Sequence, residues 1–122
     1  GTVNCRGSAS MKIISSDHEN CRVVSVCENR IDAAVAIRFK EAFRAQTGGK
    51  AHTIILDLSQ VEFIDSSGLG AIVAAMKHLG PDRRLDLAGL NPAVDTVFQL
   101  TRMDSVFRLF KTLQSAIDAC AN

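Results

Sequence analysis

No stretch of this 122-residue chain approaches the roughly 18 consecutive apolar residues that a membrane-spanning helix requires. The opening residues, GTVNCRGSASMKI, also lack the apolar core of a secretory signal, so no membrane span is predicted and a cytoplasmic location is expected. Charge of one sign is lacking too: 14 basic and 13 acidic side chains leave a formal net charge of +1. There is no basic stripe to neutralise nucleic-acid phosphates, which argues against direct nucleic-acid binding. The densest charge cluster, residues 81–84, is short and mixed in sign, as on a solvated turn. The four cysteines, at 5, 21, 27 and 120, form no Cys-x-x-Cys pair and give no zinc signature. Cys21 and Cys27 share one predicted strand and stand about 20 Å apart by strand rise, too far for a disulfide. All four are expected to be reduced, small apolar residues, and neither a metal nor a cofactor is expected.

What is present is the composition of one folded domain, 47% hydrophobic and 22% charged. A chain of this size buries roughly two-thirds of its unfolded surface and needs no staples. Because it opens on glycine and residues 1–10 are polar, that segment is read as flexible and in part a remnant of expression, with the domain spanning 11–122.

Apolar runs at 11–16 and 21–27, separated by the polar DHEN, predict an antiparallel hairpin. Asp32 is a candidate N-cap for a first helix in which Ala36, Phe39 and Phe43 recur at helical spacing, with Gly48-Gly49 as the stop. Residues 53–58, TIILDL, make a nearly unbroken apolar strand, as expected of a central strand covered on both faces. Val61 and Phe63 continue on alternate positions towards a second helix, where Leu69, Ile72, Val73 and Met76 form one stripe and Gly80-Pro81 ends the pattern. Residues 84–89 read as a strand with Leu85 and Leu87 on one face, and Asn91-Pro92 opens a third helix with Val94, Val97 and Phe98 inward. A short strand at 105–110 and a helix at 111–121, striped by Leu113, Ala116, Ile117 and Cys120, complete the chain. The predicted order is ββαβαβαβα. It describes an α/β domain whose mixed sheet is mostly parallel after an antiparallel N-terminal hairpin, with about four helices. Function is then expected at the carboxyl ends of the parallel strands.

At such an end lies Asp65-Ser66-Ser67-Gly68-Leu69-Gly70. A nucleophilic serine at a strand-to-helix elbow needs Gly-x-Ser-x-Gly, and although Gly68 lies two residues after Ser66, position 64 is isoleucine. His18, His52 and His78 offer no triad partner in the chain order of the α/β hydrolases, so no catalytic residue is assigned. The glycines match neither phosphate-loop nor dinucleotide fingerprint, and Asp65 would repel a phosphate, so nucleotide binding is weakly supported. The plainest alternative is a helix cap, since Asp65 and Ser66 are both preferred types there. A cap leaves Gly68 and Gly70 unexplained, each costing about 1 kcal/mol in a helix relative to alanine. Close approach of another backbone, or of a partner surface, over the helix start would account for them.

The stretch LDLSQVEFIDSSGLGAIVAA, residues 56–75, closely resembles the signature of the bacterial anti-sigma factor antagonists, which are STAS-domain proteins. ENRIDAAVAIRF is similar to that family's turn into its first helix, and LAGLNPAVDTVFQLTRMDSVFRLF to its later strand, Pro-x-Val helix and last strand, so the likeness covers residues 11–120. The resemblance implies a single STAS domain of the α/β kind already predicted. It also implies that Ser66 is phosphorylated by a partner that is at once the anti-sigma factor and a serine kinase with a histidine-kinase-like ATPase fold. Asp65 would assist at the phosphoacceptor site, and Ser67, Gly68, Leu69 and Gly70 would shape the helix start that meets the kinase. A protein of this family performs no chemistry itself. Unphosphorylated, it binds the anti-sigma factor and frees the sigma factor; phosphorylated, it releases its partner, with a phosphatase as a further candidate partner.

The switch also has a physical basis. A phosphate on Ser66 adds about −1.5 to −2 charges, which a helix N-terminus can hold without unfolding the domain. A partner packed over Gly68 and Gly70 would meet added bulk and an unpaired charge. Two departures from the family pattern stand out. Asn29 replaces a glycine before the turn and, like glycine, tolerates a left-handed conformation. Thr101-Arg102-Met103 takes the place of a Gly-Leu found in some relatives. The rival expectation is a non-catalytic STAS subunit of a lipid-transport or stress-signalling assembly; retention of both serines favours the switch.

Overall fold

The computed structural model describes residues 13–18, 21–48 and 52–121. The expected flexible segment 1–10, Met11 and Lys12 of the predicted first strand, and Gly49 lie outside the described residues.

Strands β1 (Ile13–Asp17) and β2 (Cys21–Val26) form the expected antiparallel hairpin, with Ile13 opposite Val26. There follow β3 (Arg30–Ile31), α1 (Ala33–Gln46), β4 (Thr53–Asp57), β5 (Phe63–Ile64), α2 (Ser66–Leu79), β6 (Arg84–Ala88) and α3 (Pro92–Leu100). A short 3-10 turn (Met103–Ser105), β7 (Arg108–Phe110) and α4 (Leu113–Ala121) close the order. The main sheet runs β1-β2-β4-β6-β7, parallel from β2 onward. The mixed sheet and the four α-helices are as predicted. The additions are β3 and β5, which pair parallel with each other in a sheet of their own. Two residues are too few to show a period, so neither strand announces itself by alternation.

Alternation along the longer strands sorts side chains to two faces. Val24, Val26, Ile54, Leu56, Leu85 and Leu87 belong to the main core with Phe39, Phe43, Ile72, Val94 and Phe98 of the first three helices. On the other face Cys21, Val23, Ile55 and Ala88 meet α4 through buried Ala116 and half-buried Leu113, Ile117 and Cys120. All five residues of β4 are buried, as expected of the central strand.

Several local expectations change. In α2 the buried positions are Gly68, Ala71, Ile72, Ala75 and Leu79, whereas Leu69, Val73 and Met76 are only partly buried at the core's edge. The inward face is built largely from small residues because neighbouring backbone comes close, and a stripe drawn through large apolar residues misses it. Helix α1 ends on Thr47 rather than on glycine geometry. The Thr47 hydroxyl donates to the Phe43 carbonyl (2.7 Å), and Arg22 donates to the carbonyls of Gln46 and Gly48 (2.8 and 2.7 Å). Asn29 does not use a left-handed conformation; among the described residues positive φ occurs at Gly80, Gly89 and Arg102. Finally, Cys27 is disulfide-bonded, while Cys21 and Cys120 are thiols, so the all-reduced expectation is corrected at Cys27. Strand spacing separates Cys27 from Cys21 but sets no limit on pairing with a distant segment of the chain.

Candidate phosphoacceptor and partner-binding site

The site is half of a repeated unit. Arg30-Ile31-Asp32 and Phe63-Ile64-Asp65 each follow a long strand, contribute two residues to the small sheet and end on an aspartate that caps a helix. Asp32 has φ −112° and ψ −172° and accepts from the Val35 N–H at 3.2 Å. Asp65 has φ −106° and ψ −174° and accepts from the Gly68 N–H at 2.9 Å. Pairing of Ile31 with Ile64 sets the two helix starts side by side, and α1 packs along α2. The recurrent Ile-Asp was the sequence signal for this arrangement, and it goes unread when each helix is considered alone.

Asp65 supplies the cap, which answers what the serines are for in part: the Ser66 hydroxyl is not needed to start the helix. Ser66 and Ser67 are the first two helical residues and both are exposed. Helix geometry leaves their N–H groups without intrahelical acceptors. The two glycines separate. A Cβ on Gly68 would lie 2.9 Å from the Ile31 carbonyl carbon and closer still to its oxygen, so Gly68 is required by a neighbouring backbone within the fold. Gly70 is exposed, and a Cβ there would meet nothing within 4 Å among the described residues. Leu69 is half-buried against the main core and Ile72 is fully buried.

Beside the helix start, the Arg30 guanidinium lies 5.0 Å from the centre of the Phe63 ring and 2.9 Å from Asp32 Oδ2. Phe63 is nevertheless 47% exposed, a large apolar side chain left at the surface three residues before Ser66. Neither residue stands out in the sequence, because their contact depends on the β3–β5 pairing. Asp57, the carboxylate that interrupts the central strand, is buried and accepts from the Ser25 hydroxyl (3.2 Å) and the Ser59 N–H (3.0 Å).

The three histidines are far from Ser66. His52 precedes β4 and His18 follows β1, both where the parallel strands begin, whereas Ser66 follows their carboxyl ends. His78 lies in the last turn of α2, about 18 Å from Ser66 by helix rise. None can take a proton from the Ser66 hydroxyl in this geometry. Among the described residues, no group of three or more His, Cys, Asp or Glu is placed to hold a metal ion, and no helix is long and apolar enough to cross a membrane.

Comparison with known proteins agrees with this architecture. The family model of the STAS domain matches residues 12–116. The anti-sigma-F factor antagonist RsfB of Mycobacterium tuberculosis is 28% identical over 108 residues, covering 88% of each chain. The anti-sigma-B factor antagonist of Listeria monocytogenes is 29% identical over 103 residues, covering 84% of this chain and 87% of its own. Among solved structures, an anti-sigma factor antagonist from Mycobacterium paratuberculosis superimposes with a TM-score of 0.82 at 31% identity, covering 93% of this chain and 96% of its own. The match of the family model over residues 12–116, most of the chain, establishes that this chain belongs to the STAS domain family.

Proposed function

We propose that the protein is an anti-sigma factor antagonist, a cytoplasmic binding module without catalysis of its own, switched by phosphorylation of Ser66. The observation that carries the reading is that Asp65 caps α2, leaving the adjacent Ser66 hydroxyl exposed and without a capping duty. In its unphosphorylated form the surface made by Asp65, Ser66, Ser67, Leu69 and Gly70 binds an anti-sigma factor, which is also the serine kinase with a histidine-kinase-like ATPase fold, and a sigma factor is freed. Gly68 contributes by letting the helix start sit against Ile31. Phosphate on Ser66 places about −1.5 to −2 charges beside the Asp65 carboxylate. The unbonded N–H groups of the helix start tolerate that charge within the domain, whereas a partner packed over open Gly70 does not, because both bulk and an unpaired charge enter the interface. A phosphatase then restores the binding form.

Incubation with ATP and the candidate anti-sigma factor, followed by peptide mass spectrometry, tests this. The expected result is one phosphate, on Ser66, absent from Ser66→Ala, with Ser66→Ala retaining the partner and Ser66→Glu binding it at least tenfold more weakly. Equal binding of wild type and Ser66→Glu would overturn the charge mechanism. Stable capture by a transport assembly with no phosphorylation would favour a passive STAS subunit instead.

A further inference from the structure

The face of the sheet opposite Ser66 carries a feature that the switch does not use. Cys21 opens β2 and is 3% exposed; Cys120 lies near the end of α4, partly exposed and packed against the same small apolar cluster. Neither is in a disulfide. Ninety-odd residues of chain separate them, yet both pack in the same small apolar cluster between the C-terminal helix and the sheet, and the Cys120 thiol lies close enough to help push up the pKa of Cys21.

From the adjacency of Cys21 and Cys120 across the α4–sheet contact, we infer that the two form an intramolecular disulfide under hydroperoxide oxidation, latching the C-terminal helix to the sheet.

The chemistry balances with a hydroperoxide as the two-electron oxidant. Cys120, the more exposed sulfur, attacks the peroxide oxygen. The O–O bond breaks, water leaves when the oxidant is hydrogen peroxide, and Cys120 becomes a sulfenic acid. The Cys21 sulfur then attacks the Cys120 sulfur, the S–O bond breaks, and the departing hydroxyl takes the Cys21 proton and leaves as a second water. Two thiols have lost two electrons and two protons. Burial, with the Cys120 thiol next in importance and the Asp86 carboxyl beyond it, pushes Cys21 up to about 12. Cys21 is therefore the less reactive of the two towards peroxide and enters only in the second step, giving up its proton as its sulfur attacks the Cys120 sulfenic acid.

The anchorage of α4 makes the latch consequential. Among the helix's residues 113–120, Ala116 is the fully buried side chain, and Leu113, Ile117 and Cys120 are only partly buried against the same small cluster. An element held by so little buried area opens more readily than the main core, and a cross-link closing a long loop removes that freedom.

The test uses the full chain, reduced and then treated with hydrogen peroxide, with non-reducing peptide mapping and thermal unfolding. The expected product is a peptide pair linked through Cys21 and Cys120. Its formation raises Tm by several degrees, is reversed by dithiothreitol and is absent in Cys120→Ser. Because Cys21 is buried and Cys21→Ser can fail to fold, the wild-type map and Cys120→Ser carry the result. The disulfide at Cys27 is followed separately in the same map, so its reduction is not mistaken for the latch. Peroxide that leaves Cys120 as sulfinic acid with Cys21 unlinked, or that joins Cys120 only to another molecule, would overturn the inference.

Discussion

The carbonyl of Ile31 occupies the space in which a side chain on Gly68 would begin. Two helix starts are set side by side by this contact, and it divides the glycines of the motif by purpose. Gly68→Ala forces backbone against backbone, which no rotamer can relieve, so we expect a net loss of about 2 kcal/mol in stability despite alanine's better helix propensity. Gly70→Ala meets open space and should stabilise the domain by up to about 1 kcal/mol, while weakening partner binding if the partner closes over that position. Urea unfolding of the two variants, followed by titration with the anti-sigma factor, separates the roles. A stable Gly68→Ala would mean that α2 is free to slide away from β3.

Removing the cap isolates the contribution of Asp65. Asp65→Ala leaves the Gly68 N–H without its acceptor and should cost about 1 kcal/mol, whereas Ser66→Ala, at an exposed position with no capping duty, should stay within about 0.5 kcal/mol of wild type. Chemical denaturation provides the check. A larger loss in Ser66→Ala than in Asp65→Ala would transfer the capping role to the serine and undercut the case for a dispensable hydroxyl.

Asp86 predicts an unusual pH dependence. Its side chain is 1% exposed; Arg84 Nε lies 3.3 Å from Oδ1 as an ion pair, and among the described residues neither carboxylate oxygen has a partner that meets hydrogen-bond geometry. Burial raises its pKa above the ordinary 3.8, opposed by Arg84 and Arg108. The folded state therefore holds this proton more tightly than the unfolded state. The associated stability is fully present below the unfolded value and is lost as pH rises through the folded one. Asp86→Asn, which carries no charge at any pH, should flatten that part of the profile and raise stability at neutral pH by about 1 kcal/mol. Unfolding measured from about pH 4 to pH 8 decides it; a variant with the wild-type slope would show that the carboxyl is not the source.

Arg102 sits in the left-handed region, φ 61° and ψ 22°, just ahead of the 3-10 turn. A non-glycine residue there carries a conformational cost of about 1 kcal/mol. Arg102→Gly should recover part of it, less the extra entropy glycine has when unfolded, and appear as a higher Tm. A lower Tm would mean that the arginine side chain contributes more than its backbone costs.

Much of this was readable in the sequence because it is local. The cap at Asp32 needs only residues up to Val35; a cap at the start of α2 was equally local, though the sequence left it between Asp65 and Ser66 and the structure gives it to Asp65. The central strand and the inward Phe39, Phe43, Val94 and Phe98 follow from period and apolarity alone. The Asp-Ser-Ser-Gly start was likewise evident, placed at the carboxyl end of a parallel strand by the order of elements.

What the tertiary structure alone decided are relationships between residues distant in the chain. The pairing of Ile31 with Ile64 gives Gly68 its reason and brings Arg30 over Phe63; the docking of α4 brings Cys120 to Cys21. Periodicity says which face of an element is apolar, but not which backbone will lie against it. The division of labour between Gly68 and Gly70, one closed off by the fold and one left open to a partner, is decided by that approach.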